Sequence, residues 1–226
     1  MPSHHFLLYI LGYMGLFAIT GLSHKHNGNR LVDEHGITSD KPMLLGSHLV
    51  AIAWIGIFCI YLFQPGLPEI AWGKKTPTGL QFSVIILLTA IGCVLAIIEA
   101  EKKFSAIAGR MPGEPVATGF MSNYIVARVL FLCLYELWFR GYLLINSIIA
   151  FGITFAIILN IALYSLLHKV NGRREMLACI PIGAILCGVC AWTGAAWPAI
   201  LIHVVMTLSH EIHLVKKIHK SLISFI

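Results

Sequence analysis

The chain has 226 residues, of which 58% are hydrophobic and only 12% charged, with a mean hydropathy of +0.84. That balance excludes a soluble domain, whose single core could not absorb so much apolar surface. The formal net charge of +6 does not point to nucleic acid, because the lysines and arginines stand singly or in pairs between apolar runs, as juxtamembrane residues do.

Windows of about 20 apolar residues, the length that crosses ~30 Å of hydrocarbon, occur in seven places: approximately residues 6–22, 43–63, 80–98, 120–145, 147–168, 176–193 and 197–215. The first, from Phe6 to Leu22, lacks the basic start and cleavage site of a signal peptide and reads as a retained span. Gln64-Pro65-Gly66-Leu67-Pro68 and Thr76-Pro77-Thr78-Gly79 bound the second loop, and Met111-Pro112-Gly113-Glu114-Pro115 punctuates the third. Around Asn146 the fourth and fifth windows nearly touch. In the sixth, Gly183, Cys187 and Gly188 offer small positions for close packing. No polar domain, repeat or low-complexity tract interrupts the series, so residues 1–226 are read as one membrane domain, an all-α polytopic bundle of about seven spans.

Lysine and arginine set the orientation. Lys25, Arg30 and Lys41, then Lys102, Lys103 and Arg110, then Lys169, Arg173 and Arg174, and finally Lys216, Lys217 and Lys220 all lie on one side, against Lys74 and Lys75 on the other. The positive-inside rule puts the richer side in the cytoplasm, with the N-terminus outside and the C-terminus inside, in a cell (inner) membrane. The cysteines Cys59, Cys93, Cys133, Cys179, Cys187 and Cys190 all fall in apolar segments and read as packing residues, including the pair Cys187-x-x-Cys190. His4, His5, His24, His26 and His35, in the N-terminal tail and first loop, read as solvated.

Against this background the fourth window carries a carboxylate and a guanidinium, Glu136 and Arg140, four residues apart and in the favourable order for a helical pair. Ionisable groups at such depth are costly and mark either a packing salt bridge or a site. Arg128 lies two helical steps earlier on roughly the same side. The fifth window ends with Tyr164 and His168 one turn apart, and the seventh carries His203 and Thr207 on one face, with His210 further on. If they converge, a desolvated glutamate can take a proton from water, one histidine can orient that water, and another can donate to the oxyanion formed at an amide. Each residue also has a structural reading: the histidines as interhelical donors, the threonine bonded to its own helix backbone. Axial haem ligation by His168 and His203 leaves the acid-base pair unexplained. A metal site of Glu136, His168, His203 and His210 lacks His-Glu-x-x-His spacing, and the run His210-Glu211-Ile212-His213 has the wrong interval.

The motifs Tyr135-Glu136-Leu137-Trp138-Phe139-Arg140-Gly141, Tyr164 to His168, and Thr193-Gly194, Trp197 and His203 to Thr207 resemble the CAAX protease and bacteriocin-processing superfamily. These are intramembrane glutamate endopeptidases that include the type II CAAX prenyl endopeptidase. The family's motifs are Glu-Glu-x-x-x-Arg with a following Gly, Phe-x-x-x-His, and His-x-x-x-Asn after a Thr-Gly and a Trp. Order and separations agree over about residues 120–210. The resemblance implies Glu136, His168 and His203 as catalytic residues, with Arg140, Thr207, Tyr135 and Tyr164 in support. It also implies no metal or organic cofactor, and a peptide or a lipidated, membrane-anchored protein as substrate, cut near its anchor. Tyr135 stands where the family keeps its first glutamate, and Thr207 where it keeps asparagine. Neighbouring residues on a helix point ~100° apart, so either Glu136 acts as base through a helix rotation, or the chain is a non-catalytic member binding a peptide or partner as an immunity or scaffold protein. A turn near Asn146 with straight helices would strand His168 at the inner end, beyond reach of Glu136, so the site requires a different boundary or a tilted or kinked helix.

Overall fold

A computed structural model describes residues 3–25, 30–32, 37–38, 40–63, 66–108 and 117–223. The loop readings at Gln64-Pro65 and Met111 to Pro115, the cation Arg110, the histidines His26 and His35, and the side chains of His4, His5 and Cys59 lie outside the described residues. The architecture is all-α, and seven of the described helices are long and apolar enough to cross a membrane. The expected polytopic bundle is borne out, and the chain is an integral membrane protein.

In chain order the helices are α1 (Ser3–Lys25), α2 (Lys41–Phe63), the short α3 (Leu67–Trp72), α4 (Gly79–Ile107), α5 (Thr118–Glu136), α6 (Leu144–Phe151), α7 (Ile153–Leu167), α8 (Arg173–Thr193) and α9 (Trp197–Ile223). A π-helical stretch, Leu137–Leu143, joins α5 to α6 without a break, and a 3-10 turn, His168–Asn171, comes after α7. Many large apolar side chains face outward, among them Ile57, Leu87, Ile149, Ile158 and Leu177. In water that surface would be a liability; in a bilayer it is the lipid-facing side.

The fourth span differs from its sequence reading in a way that positions the site. It runs unbroken from Thr118 to Phe151, and the chain turns at Gly152 instead of near Asn146. Gly152 has φ +82° and ψ 164°, a conformation open to glycine and strained for other residues, and its N–H donates to the Ile148 carbonyl at 2.9 Å. Asn146 stays inside the helix, donating to the Tyr142 carbonyl at 2.9 Å and to the Tyr9 hydroxyl at 3.0 Å. Moving the turn six residues slides α7 along α5, so that Asn160 meets Phe139 and Tyr164 lies beside Arg140.

Aromatic residues organise the packing beside this hairpin. Trp138, Phe139, Tyr135, Tyr142 and Tyr164 form a buried cluster with Tyr9 and Leu16 of α1 and with Ala51 and Ile55 of α2. The Trp54 indole donates to the Gly12 carbonyl at 3.0 Å, and a Cβ at Gly15 would lie 2.2 Å from the Trp54 ring, so glycine permits the close approach of α1 and α2. In α8, Gly183 packs against the Tyr164 ring as expected of a small position, whereas Gly188 faces open space and contributes nothing to packing. The difference is one of helix face, which small size alone does not reveal.

Candidate functional site

Three helices bring the site together. The carboxylate of Glu136, at the end of α5, receives Nδ1–H of His203 from α9 at 2.5 Å and Nη1–H of Arg140 at 3.3 Å. The second carboxylate oxygen also lies 3.3 Å from Arg140 Nη1. Glu136 and Arg140 are both 0% exposed, so the pair is enclosed by protein and desolvation makes each depend on the other. The Arg140 guanidinium lies 4.2 Å from the centre of the Tyr164 ring, a cation–π contact that covers its face.

The π-helical stretch accounts for this local arrangement. An i to i+5 hydrogen bond widens the helix by one residue per turn and rotates the residues beyond it. Here Leu144 N–H bonds the Phe139 carbonyl, and that oxygen also accepts from Asn160 Nδ2 at 2.7 Å. Asn160 in turn accepts from the Cys187 thiol at 3.2 Å. The buried line Phe139, Asn160, Cys187 therefore ties the π stretch to α7 and α8 beside Arg140. Asn160 was not among the residues singled out from the sequence. Its signal was available, as the one amide in α7, where Thr154 is the only other polar residue between Ile153 and Leu163, but it matches no catalytic spacing. Replacing Asn160 with leucine removes one of the two donors to Phe139 O and the acceptor of the Cys187 thiol, and is expected to cost about 1–3 kcal/mol, measured as thermal or denaturant unfolding in one detergent. An unchanged midpoint would show that this amide holds nothing.

Gly141 lies within the stretch for a steric reason. A Cβ there would sit 2.7 Å from Ile70 Cγ2 and 3.4 Å from Ala196 Cβ, where α3 and the start of α9 meet through a hydrogen bond from Ala196 N–H to the Ile70 carbonyl at 3.0 Å. Gly141→Ala is expected to destabilise by about 1–3 kcal/mol through overpacking, and Ile70→Ala should recover part of the loss. Failure of that second change to help would place the strain elsewhere.

The remaining residues fall around this centre. His168, capping α7, donates Nδ1–H to the Tyr164 carbonyl at 2.9 Å and lies with its ring 4.6 Å from the Tyr164 ring. The Tyr164 ring in turn is 6.4 Å from His203 and 4.2 Å from the Arg140 guanidinium. His168 thus adjoins the centre through Tyr164, which the Gly152 turn sets beside Arg140. Tyr135 packs against Phe139 at 4.6 Å and edge-on to His203 at 6.2 Å, and its buried hydroxyl has no hydrogen-bond partner among the described residues. Tyr135 and Glu136 thus both border His203, one by its ring and one by its carboxylate. Thr207 is half-buried one turn past His203. His210 turns to the Ala96 carbonyl of α4 at 3.2 Å instead of toward Glu136. Thr193-Gly194 forms the end of α8: Gly194, at φ +67°, donates to the Cys190 carbonyl at 2.8 Å and reverses the chain, letting α9 begin at Trp197-Pro198.

A bundle of membrane-length helices that encloses Glu136, Arg140 and His203, with His168 half-buried beside them, defines a polytopic membrane protein with a buried acid–base centre. The family model described as type II CAAX prenyl endopeptidase Rce1-like matches residues 117–209, which contain all of these groups, and the resemblance read from the motifs is borne out over that segment. No curated protein and no solved structure matches the chain. The segment is similar at family level to a CAAX-type protease.

Proposed function

We propose that the protein is an intramembrane endopeptidase that hydrolyses a peptide bond near the membrane anchor of a CAAX-type, bacteriocin-type or sorting peptide. The observation that carries this reading is the 2.5 Å contact between His203 and Glu136 in an enclosed site shared with Arg140, within the Rce1-like segment. Because a carbonyl can only accept, His168 carries its proton on Nδ1 and presents the Nε2 lone pair. That nitrogen and the Glu136 carboxylate are the acceptors for a proton leaving an attacking water. His203 is oriented by Glu136 through Nδ1, and its doubly protonated form carries the Nε2–H that, with the Thr207 hydroxyl one turn away, would donate to the carbonyl oxygen of the substrate. Arg140 holds the carboxylate and Tyr164 covers the guanidinium. The reaction needs no covalent enzyme intermediate. The chain is proposed to lie in a cell membrane with its N-terminus outside and its C-terminus in the cytoplasm.

A second reading has its own observation. Tyr135 fills the place of the family's first glutamate with a ring packed against Phe131, Phe139 and Tyr164, an arrangement suited to a non-catalytic member that binds a peptide or partner in the same space. Reconstituted protein with a quenched library of prenylated and unmodified peptides separates the two. Turnover that disappears in Glu136→Gln and in His203→Ala supports the hydrolase. No turnover from the wild type, with peptide binding retained by both variants, selects the binding protein.

A further inference from the structure

We propose that Arg128 and Glu211 are positioning residues, a second polar clamp between α5 and α9 that sets the register in which Glu136 meets His203; the consequence for catalysis rests on the hydrolase reading above. Arg128 Nε lies 3.2 Å from Glu211 Oε1, with both side chains largely withdrawn from the surface. Arg128 Nη1–H donates to Nε2 of His48 on α2 at 3.3 Å, and His48 in turn donates Nδ1–H to the Leu44 carbonyl at 2.8 Å. The His48 ring is held edge-on by Tyr124 and Phe131 at 5.5 and 5.6 Å. Three polar side chains from three helices thus form a unit that takes no part in the Glu136 centre.

Its placement gives it a purpose. Arg128 precedes Glu136 by eight residues on α5, and Glu211 lies eight residues past His203 on α9. Both intervals lie in regular α-helix, so the two antiparallel helices are joined at two levels about 12 Å apart at ~1.5 Å per residue. Sliding α9 by one turn would break both clamps together. The apolar contacts between these helices tolerate such a slip far better than two ion pairs in a low-dielectric interior, and polar pairs at single buried positions are well suited to fixing register. His48 extends the constraint to α2, limiting rotation of α5.

The test reads geometry and activity separately. In ¹⁵N-histidine-labelled protein in nanodiscs, the His203 Nδ1–H proton should resonate far downfield because of its short bond to the Glu136 carboxylate, and should disappear in Glu136→Gln. Arg128→Ala and Glu211→Ala should lose or shift that resonance and lower kcat by roughly tenfold to 100-fold with little change in KM, since small misplacement of a catalytic group costs that much. Exchange of the charges in Arg128→Glu with Glu211→Arg should restore both. Should the single variants fail to fold, Arg128→Leu with Glu211→Leu replaces the pair without leaving a lone charge; loss of the resonance there supports the clamp. A wild-type resonance that persists unchanged in the folded alanine variants or in the double leucine variant overturns it. If the wild type shows the resonance and its dependence on Arg128 yet no turnover, the clamp stands and the hydrolase reading fails.

Discussion

Arg140→Leu is expected to destabilise the folded protein by about 3–5 kcal/mol, the cost of leaving one member of a buried ion pair uncompensated. Glu136 and Arg140 are fully enclosed, so water cannot replace the lost partner. The guanidinium also fills the space over Tyr164 at 4.2 Å. Two companions give the measurement its meaning. Arg140→Lys keeps the charge but not the planar face and fork, and should fall between wild type and leucine. Glu136→Gln combined with Arg140→Leu removes both charges and should recover part of the stability. Thermal unfolding of all four proteins in one detergent is the measurement. An Arg140→Leu protein within about 1 kcal/mol of wild type, less than a broken buried pair should cost, would show that the pair does not hold the fold, whatever its role in chemistry.

The second large effect concerns how Glu136 and His203 act. On the proposed hydrolase reading, each single change, Glu136→Gln and His203→Ala, should lower turnover by about 100-fold to 10,000-fold, the usual range for a positioned acid or base. Because the two side chains share one hydrogen bond at 2.5 Å, they should behave as a unit, and the double variant should be no slower than the worse single one. Losses that multiply would assign the residues to independent steps. In that case the contact would be structural. Because the site lies within the spans, detergent-solubilised and bilayer-reconstituted samples should show the same non-additivity.

Most of the fold was legible in the sequence because lipid imposes a simple requirement. A span needs about 20 apolar residues with every backbone group bonded internally, and seven such windows stand out. The centre of the candidate site was legible for the converse reason: an ionisable group at that depth is so costly that Glu136, Arg140, His168 and His203 stand out. Hydropathy carried no information about the turn between the fourth and fifth spans. Asn146 looks like punctuation but donates within its own helix, while Gly152 turns the chain through a backbone angle that composition does not display. Asn160 and the Arg128–Glu211 pair do not stand out as parts of a design because their partners are remote in sequence. Gly188 has the size for a packing role, but size does not tell which face of a helix meets a neighbour.

The sequence by itself determined that this is a helical membrane protein, which residues are too polar to be there by chance, and which family their spacing resembles. Tertiary structure decided that Glu136 rather than its neighbour Tyr135 bonds His203, that α7 is offset far enough to bring Tyr164 and His168 alongside, and that a π-helical stretch sets Arg140 against both Glu136 and Tyr164. Apolar periodicity is satisfied by many helix registers of nearly equal burial. A hydrogen bond or an ion pair in a medium without water is satisfied by one.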